Sequence, residues 1–157
     1  MSFDLIDLVS AISKSRVLCV GDVMLDRFIN GEVTRISPEA PVPVLRIQNE
    51  TEMLGGAGNV IRNVIALGGQ GTLIALTGVD AAANEIDVAL ASLDGATADL
   101  VRDGTRTTPI KTRFIAGNQQ ILRVDSEVTS DLKSDTGEAI LAKVNAVIRD
   151  HDILVLS

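Results

Sequence analysis

The sequence predicts an α/β fold in which a mostly parallel sheet is flanked by helices and carries a small β-sheet lid. Short apolar segments with strand character alternate with amphipathic helical segments, a pattern typical of parallel sheets. Two further segments, at about residues 28–54 and 107–125, are rich in strand and turn signals and interrupt the alternation. We interpret residues 1–157 as one domain with these two segments as its lid.

The first half of the chain begins with a helix capped by Ser2, followed by a core strand that ends at Gly21 and Asp22. Pro41 and Pro43 cannot occupy the centre of a sheet, so the strand near them belongs to an edge or to a small separate sheet. The predicted elements here are helices over residues 2–13 and 59–67 and strands over residues 16–20, 28–33, 42–47 and 72–76.

In the second half, the turn residues Ala116, Gly117 and Asn118 lie between two segments of strand character and predict a hairpin. The predicted elements here are helices over residues 82–93 and 135–148 and strands over residues 100–102, 108–114, 120–124 and 153–156.

Composition and charge exclude several functional classes. The formal net charge of −7 disfavours nucleic acid as a partner. No segment has the roughly 18 consecutive apolar residues of a membrane span, and no signal peptide is recognisable. We therefore expect a cytoplasmic location. The single Cys19 lies in an apolar run, so we expect a buried structural thiol.

Two carboxylates, Asp22 and Asp26, follow the first core strand. Ligands of open α/β sheets bind at the carboxyl ends of the strands, and a carboxylate can accept hydrogen bonds from two adjacent sugar hydroxyls. The alternative is a polar turn in which Asp26 is solvated or paired with Arg27.

A glycine-rich segment, residues 55–59, opens a predicted helix. Gly55 and Gly56 permit close approach of a ligand, free amides at the helix start favour oxygen-rich groups, and Asn59 offers a donor and an acceptor. The alternative is a tight turn between strand and helix. A dinucleotide fingerprint is disfavoured, because its third glycine would fall at Ile61.

Basic residues alternate along the predicted hairpin. Lys111 and Arg113 lie on one face of its first strand, and Arg123 and Asp125 lie on one face of its second strand. These bases would suit a phosphate group, whereas the alternative is a solvated edge ribbon. We assign no role to His151, the only histidine, and the sequence has no Cys/His cluster with metal-ligand spacing.

Four segments together resemble the ribokinase-like (PfkB-type) carbohydrate kinases and, within them, the heptose 7-phosphate kinases. They are residues 20–26 (Val-Gly-Asp-Val-Met-Leu-Asp), 35–44 (Arg-Ile-Ser-Pro-Glu-Ala-Pro-Val-Pro-Val), 55–60 (Gly-Gly-Ala-Gly-Asn-Val) and 118–120 (Asn-Gln-Gln). The resemblance extends in order over residues 16–157. It implies a parallel sheet with a β lid that often mediates dimers.

The resemblance also implies an activity and its site. Transfer of the ATP γ-phosphate to the C1 hydroxyl of D-glycero-D-manno-heptose 7-phosphate is implied, with Mg²⁺, in ADP-heptose synthesis for lipopolysaccharide. The family's substrate aspartate matches Asp26, its glycine pair matches Gly55 and Gly56, and its substrate asparagine matches Asn59. With the residues discussed above, the expected substrate-binding set is Asp22, Asp26, Gly55, Gly56, Asn59, Lys111, Arg113, Asn118 and Arg123.

One departure from the family is large. The family's catalytic base is the aspartate of a downstream Gly-Ala-Gly-Asp motif, whereas the Gly-Ala-Gly of this chain is followed by Asn59, an amide that cannot act as a general base. We therefore expect a truncated N-terminal part of the kinase that is inactive alone, with the base and the nucleotide site beyond Ser157. A fused adenylyltransferase is also known in this branch. The alternative is a non-catalytic sugar-binding or dimerisation module.

Overall fold

The computed structural model describes residues 4–157 and shows one seven-stranded sheet in two parts that share a long strand, β1. The strands are β1 (Arg16–Ile36), β2 (Pro43–Gly56), β3 (Gln70–Thr77), β4 (Ala96–Arg102), β5 (Ile110–Ala116), β6 (Gln119–Ser126) and β7 (Ile153–Leu156), and the helices are α1 (Leu5–Ile12), α2 (Ala57–Ala66), α3 (Ala81–Ala91) and α4 (Ser134–Val147). No helix within the described range is long and apolar enough to cross a membrane.

The main sheet has the order β4-β3-β1-β7, and all of its pairings are parallel. Helices α2 and α3 cover the face that carries Cys19 and Leu73, through the buried side chains of Ile61 and Ile86. Helix α4 contacts β3 and β4. Burial of each large aliphatic side chain contributes about 1.5–3 kcal/mol, and the predicted α/β fold with flanking helices is confirmed.

Strand β1 does not end at Gly21 and Asp22, and this part of the sequence prediction is wrong. Up to Asp22 the strand pairs with β3, and from Val23 and Leu25 onward it pairs with β2 and β5. The new partners continue its hydrogen bonding, so the polar residues do not break it. Gly21 instead allows close approach, because a Cβ at this position would lie 1.9 Å from the carbonyl oxygen of Ser157.

The lid sheet consists of residues 23–36 of β1 together with β2, β5 and β6, in the order β2-β1-β5-β6. β5 runs parallel to β1, whereas β2 and β6 run antiparallel to their neighbours. Pro43 is the first residue of β2, and among the described strands β2 pairs only with β1. The proline therefore occupies the edge position that its missing amide requires.

The lid sheet has two chemically different faces. We call the front face the one that carries Asp26, Phe28, Lys111 and Arg113, and the back face the one that carries Leu25, Ile29, Phe114, Leu122 and Val124. The side chains of Leu25 and Ile29 are buried, whereas those of Leu122 and Val124 are exposed.

The sequence predicts an aliphatic outer face formed by Val42, Val44, Ile115 and Ile121. This is wrong for Ile115, which pairs with Asn30 of β1 and therefore lies on the front face with the charged residues. Ile115 lies two residues after Arg113 in β5, and the β1–β5 pairing is regular from Ile110 to Ala116, so alternation places Ile115 on the same face as Lys111 and Arg113.

Most helices lie close to their predicted positions. The predicted cap Ser2 lies outside the described residues, and Asp4 caps α1 by accepting a hydrogen bond from the Ile6 amide at 3.1 Å. Helix α2 begins at Ala57, two residues before the prediction, and β4 begins at Ala96, four residues before it. The turn at Gly117 forms as predicted, with φ of 58°.

Candidate functional site

Asp26 lies on the front face of the lid sheet, between Met53 of β2 and Lys111 of β5. Arg113 Nη1 donates a hydrogen bond to Oδ1 of Asp26. The other carboxylate oxygen, Oδ2, lies over Gly55, where a Cβ would approach it to 2.6 Å. The Asp26 side chain is 17% exposed, so its carboxylate is held in place and remains accessible to a ligand.

Arg113 is held on two sides. Besides its bond to Asp26, its guanidinium lies 5.1 Å from the centroid of the Phe28 ring, at a distance that favours a cation–π interaction. The sequence alternative in which Asp26 pairs with Arg27 is excluded. Arg27 points to the back face, where it contacts Glu50, Glu52 and Glu85.

The two glycines beside this carboxylate serve different purposes. Gly55 leaves room for Asp26, whereas Gly56 has φ of 55° and would place a Cβ 2.3 Å from the carbonyl oxygen of Asp22. Only glycine tolerates both the positive φ and the close carbonyl oxygen at Gly56. Gly56 precedes α2, so Asn59 lies in the first turn of that helix with an exposed side chain.

The remaining bases of the predicted set also lie on the front face. Lys111 Nζ lies 4.0 Å from Asp125 Oδ2 and 3.9 Å from Glu127 Oε2, beyond hydrogen-bond distance. Arg123 lies directly opposite Arg113, contacts Asp125 at 2.9 Å and is 53% exposed. Strand pairing thus brings Lys111, Arg113 and Arg123 onto the face that carries Asp26.

Two predicted residues lie away from this group. Asp22 is four residues before Asp26 along β1, which corresponds to roughly 13 Å at the usual strand rise. Asn118 is in the hairpin turn, beyond the Gly31–Ala116 pair, at least roughly 16 Å from Asp26 by the same rise. The structure brings neither side chain into contact with Asp26.

Asp22 instead lines a polar cleft of about 120 Å³ beside the carboxyl end of β3 and the middle of β1. The other residues lining this cleft are Val23, Met24, Leu76, Thr77, Arg106, Thr107, Pro109, Glu127, Val128 and Leu132. Arg106 fixes one wall, because its guanidinium donates to the carbonyl oxygens of Val128 at 2.7 Å and Ser130 at 2.9 Å. The sequence analysis did not identify Arg106.

A second missed residue, Asp80, joins the loops beside this cleft. Its carboxylate caps α3 by accepting from the Ala83 amide at 2.9 Å and also accepts from the Thr108 amide at 2.8 Å. Burial opposes its charge, but these hydrogen bonds and the charge of Arg102 outweigh burial and lower the pKa of Asp80. Its position before a run of alanines indicates a helix cap, but nothing local reveals the bond to Thr108.

Cys19 and His151 have structural surroundings. Cys19 is fully buried, and burial raises the pKa of its thiol, as expected for an unreactive cysteine. The His151 ring contacts the carbonyl oxygen of Val147 and the hydroxyl of Thr72, both at 2.8 Å, near the amino ends of the main-sheet strands. Neither side chain lies in the group around Asp26.

Comparison with known proteins agrees with this fold. Residues 14–157 match the pfkB family carbohydrate kinase, and the chain belongs to this family. It is 46% identical over 153 residues to the bifunctional protein HldE of Rhodospirillum rubrum, covering 98% of this chain and 31% of that protein. It is 49% identical over 146 residues to the D-beta-D-heptose 7-phosphate kinase of Bordetella bronchiseptica, covering 93% of this chain and 46% of that protein.

Solved structures show the same fold. A carbohydrate kinase from Agrobacterium tumefaciens superposes with a TM-score of 0.68 at 21% identity, over 90% of this chain and 45% of that one. The phosphofructokinase-2 of Escherichia coli, in complex with fructose-6-phosphate, superposes with a TM-score of 0.67 at 22% identity, over 91% of this chain and 45% of that one. The chain therefore spans less than half the length of these relatives.

Proposed function

We propose that this chain supplies the sugar-binding part of a kinase that transfers the ATP γ-phosphate to the C1 hydroxyl of D-glycero-D-manno-heptose 7-phosphate. The observation that carries the proposal is the carboxylate of Asp26, held over Gly55 on the face that also carries three basic side chains. A carboxylate suits sugar hydroxyls, and nearby bases suit a sugar phosphate. The name of the Bordetella bronchiseptica relative, at 49% identity, supports the heptose substrate.

In this proposal Asp26 accepts hydrogen bonds from sugar hydroxyls, and Gly55 and Gly56 allow the sugar to approach the backbone. Asn59 contributes donor and acceptor groups from the first turn of α2. Lys111 and Arg123 are the bases best placed for the 7-phosphate, because the carboxylates nearest Lys111 lie beyond hydrogen-bond distance and the Arg123 side chain, although paired with Asp125, is 53% exposed. Asp22 and Asn118 remain proposed substrate contacts that would require a long ligand or movement of the lid.

ATP and Mg²⁺ are the proposed co-substrate and metal. The described part of the chain contains no group of three or more His, Cys, Asp and Glu side chains that could hold a metal ion, so we assign none of its residues to Mg²⁺. We also assign no catalytic base to these residues. The role we derive for this chain is to bind and orient the acceptor sugar at Asp26.

We further propose a cytoplasmic homodimer that associates through the lid, with no nucleic acid or membrane partner. Support for association comes from the exposed aliphatic side chains of Leu122 and Val124 on the back face. The second candidate function is a non-catalytic sugar-binding or dimerisation module of the same fold, with residues 1–157 as one unit. This module would have the same sugar site as the kinase and would differ from it only in that no phosphoryl transfer follows sugar binding.

The first test is calorimetric titration of the chain with D-glycero-D-manno-heptose 7-phosphate, comparing the wild type with Asp26→Ala. We expect the variant to lose about 2–4 kcal/mol of binding free energy, because a charged hydrogen-bond acceptor is removed from a partly desolvated site. Equal binding by the two proteins would contradict the assignment of Asp26 as the sugar anchor.

The second test separates kinase from module. A chimera carries residues 14–157 in place of the matching part of the Bordetella bronchiseptica kinase, and ATP consumption is measured with Mg²⁺ and the sugar. We expect the chimera to be active and the 157-residue chain to be inactive under the same conditions. A folded, sugar-binding but inactive chimera would favour the module. Turnover by the chain alone would contradict our assignment of no base to it.

A further inference from the structure

We infer that Arg113 is a positioning residue for Asp26 and does not itself bind the sugar phosphate. This inference rests on the proposed function, because it concerns how the sugar anchor is held. The guanidinium of Arg113 is bonded to Asp26 Oδ1 and lies over the Phe28 ring, and its side chain is only 22% exposed. A base in this position is already paired before any ligand arrives.

The other two bases on the front face differ from Arg113 in this respect. Arg123 is 53% exposed, and within the described residues its ion pair is with Asp125 alone. Lys111 has its nearest carboxylate oxygens at 3.9 and 4.0 Å. These two side chains can turn to an anionic ligand without breaking a close, partly buried ion pair, whereas Arg113 would leave Asp26 without its partner. The three bases therefore have different roles although they share one face.

The consequence for Asp26 is preorganisation. A free aspartate side chain rotates about two torsions and loses that freedom when it binds a ligand. Here Arg113 holds Oδ1, so Oδ2 is directed over Gly55, where a Cβ would fill the space. The sugar hydroxyl thus meets an oxygen that is already oriented, and the entropic cost is met on folding.

The test is a double-mutant cycle on the 157-residue chain with Arg113→Gln, Asp26→Asn and the double variant. The dissociation constant is measured for heptose 7-phosphate and for the heptose without its phosphate. We expect Arg113→Gln to weaken both ligands by a similar factor of about ten or more. In the Asp26→Asn background we expect Arg113→Gln to leave both dissociation constants unchanged, because Arg113 acts through Asp26.

Two variants control for structural damage. Arg123→Gln makes the same change directly across the strand pair, and we expect it to weaken only the phosphorylated sugar. Arg113→Lys keeps the charge and should restore part of the affinity for both sugars, with circular dichroism confirming that each variant is folded. Selective loss of the phosphorylated ligand in Arg113→Gln, or an undiminished effect in the Asp26→Asn background, would overturn the positioning role. Failure of the wild type to bind either sugar would overturn the proposed function, and this inference with it.

Discussion

Gly55 lies so close to Asp26 that a Cβ at this glycine would be 2.6 Å from Oδ2 of the carboxylate and 2.7 Å from Cγ of Met24. Met24 is the residue of β1 that lies opposite Gly55 in the β1–β2 pair. The absence of a side chain at Gly55 is therefore what allows the Asp26 carboxylate to occupy its position. This relationship gives the most direct test of the site without altering any polar group.

Gly55→Ala should displace the Asp26 carboxylate and weaken binding of heptose 7-phosphate at least about tenfold. Overpacking should also lower the free energy of unfolding by about 1–3 kcal/mol. The matched control is Gly137→Ala in α4, where a Cβ meets nothing within 4 Å. It should leave binding unchanged and raise stability by about 0.5–1 kcal/mol. Unaltered binding in Gly55→Ala would show that Asp26 is not held as described.

Asp80 provides a pH-dependent prediction. Because its folded-state pKa lies below its ordinary value of 3.8, the stability it contributes is present above that pH and is lost as the pH falls through the lowered pKa. Asp80→Asn keeps a helix-capping side chain but removes the charge. We expect it to lower the free energy of unfolding by about 1 kcal/mol at pH 7 and to lose less stability between pH 5 and pH 3 than the wild type.

Thermal unfolding followed by circular dichroism across this pH range measures the effect of Asp80→Asn. Asp94→Asn is the control, because Asp94 is an exposed carboxylate in the turn before β4. It should keep the acid dependence of the wild type. Identical acid dependence in Asp80→Asn and the wild type would contradict the proposed stabilisation by charge.

Arg27 connects the lid sheet to the rest of the domain. Its guanidinium contacts Glu52 of β2 at 2.5 Å and Glu85 of α3 at 3.4 Å. Arg27→Met would leave these carboxylates facing one another without a cation, so we expect faster amide hydrogen exchange in residues 50–54 and about 1 kcal/mol lower stability. Exchange measured by mass spectrometry tests this prediction.

The control for Arg27 is Arg46→Met. Arg46 is 73% exposed, and its one ion pair among residues 4–157 is with Glu32, at 3.2 Å, within the lid itself. Its replacement should change stability by less than about 0.5 kcal/mol and leave exchange in residues 50–54 as in the wild type. Equal behaviour of the two variants would mean that the contact with Glu85 does not restrain the lid.

Self-association through the back face of the lid is tested with Val124→Glu. Val124 is exposed on this face, and a carboxylate there would be desolvated in any apolar contact. We expect sedimentation equilibrium to show a shift towards monomer, whereas Arg123→Gln on the front face should leave association unchanged. A wild-type chain that is monomeric at high concentration would contradict the proposed dimer.

Local patterns predicted much of the fold. The hairpin around Gly117, the helices after Gly56 and Asp80, and the apolar strands all depend on interactions between residues near in sequence. Strand β1 was predicted wrongly, because its continuation past Asp22 depends on β2 and β5, which supply hydrogen-bond partners from distant segments. The face of Ile115 was predicted wrongly because its apolar character was given more weight than alternation along β5, which places it with Lys111 and Arg113.

By itself, the sequence determined the fold class, the family resemblance and the identity of Asp26, Gly55 and Asn59 as candidates, because residue type and spacing carry that information. Only the tertiary structure decided that Asp26 pairs with Arg113 instead of its neighbour Arg27. Alternation along β1 places adjacent residues on opposite faces, and the parallel pairing with β5 brings Arg113, 87 positions away, to the carboxylate. Contacts of that separation depend on strand order and register, which no local pattern encodes.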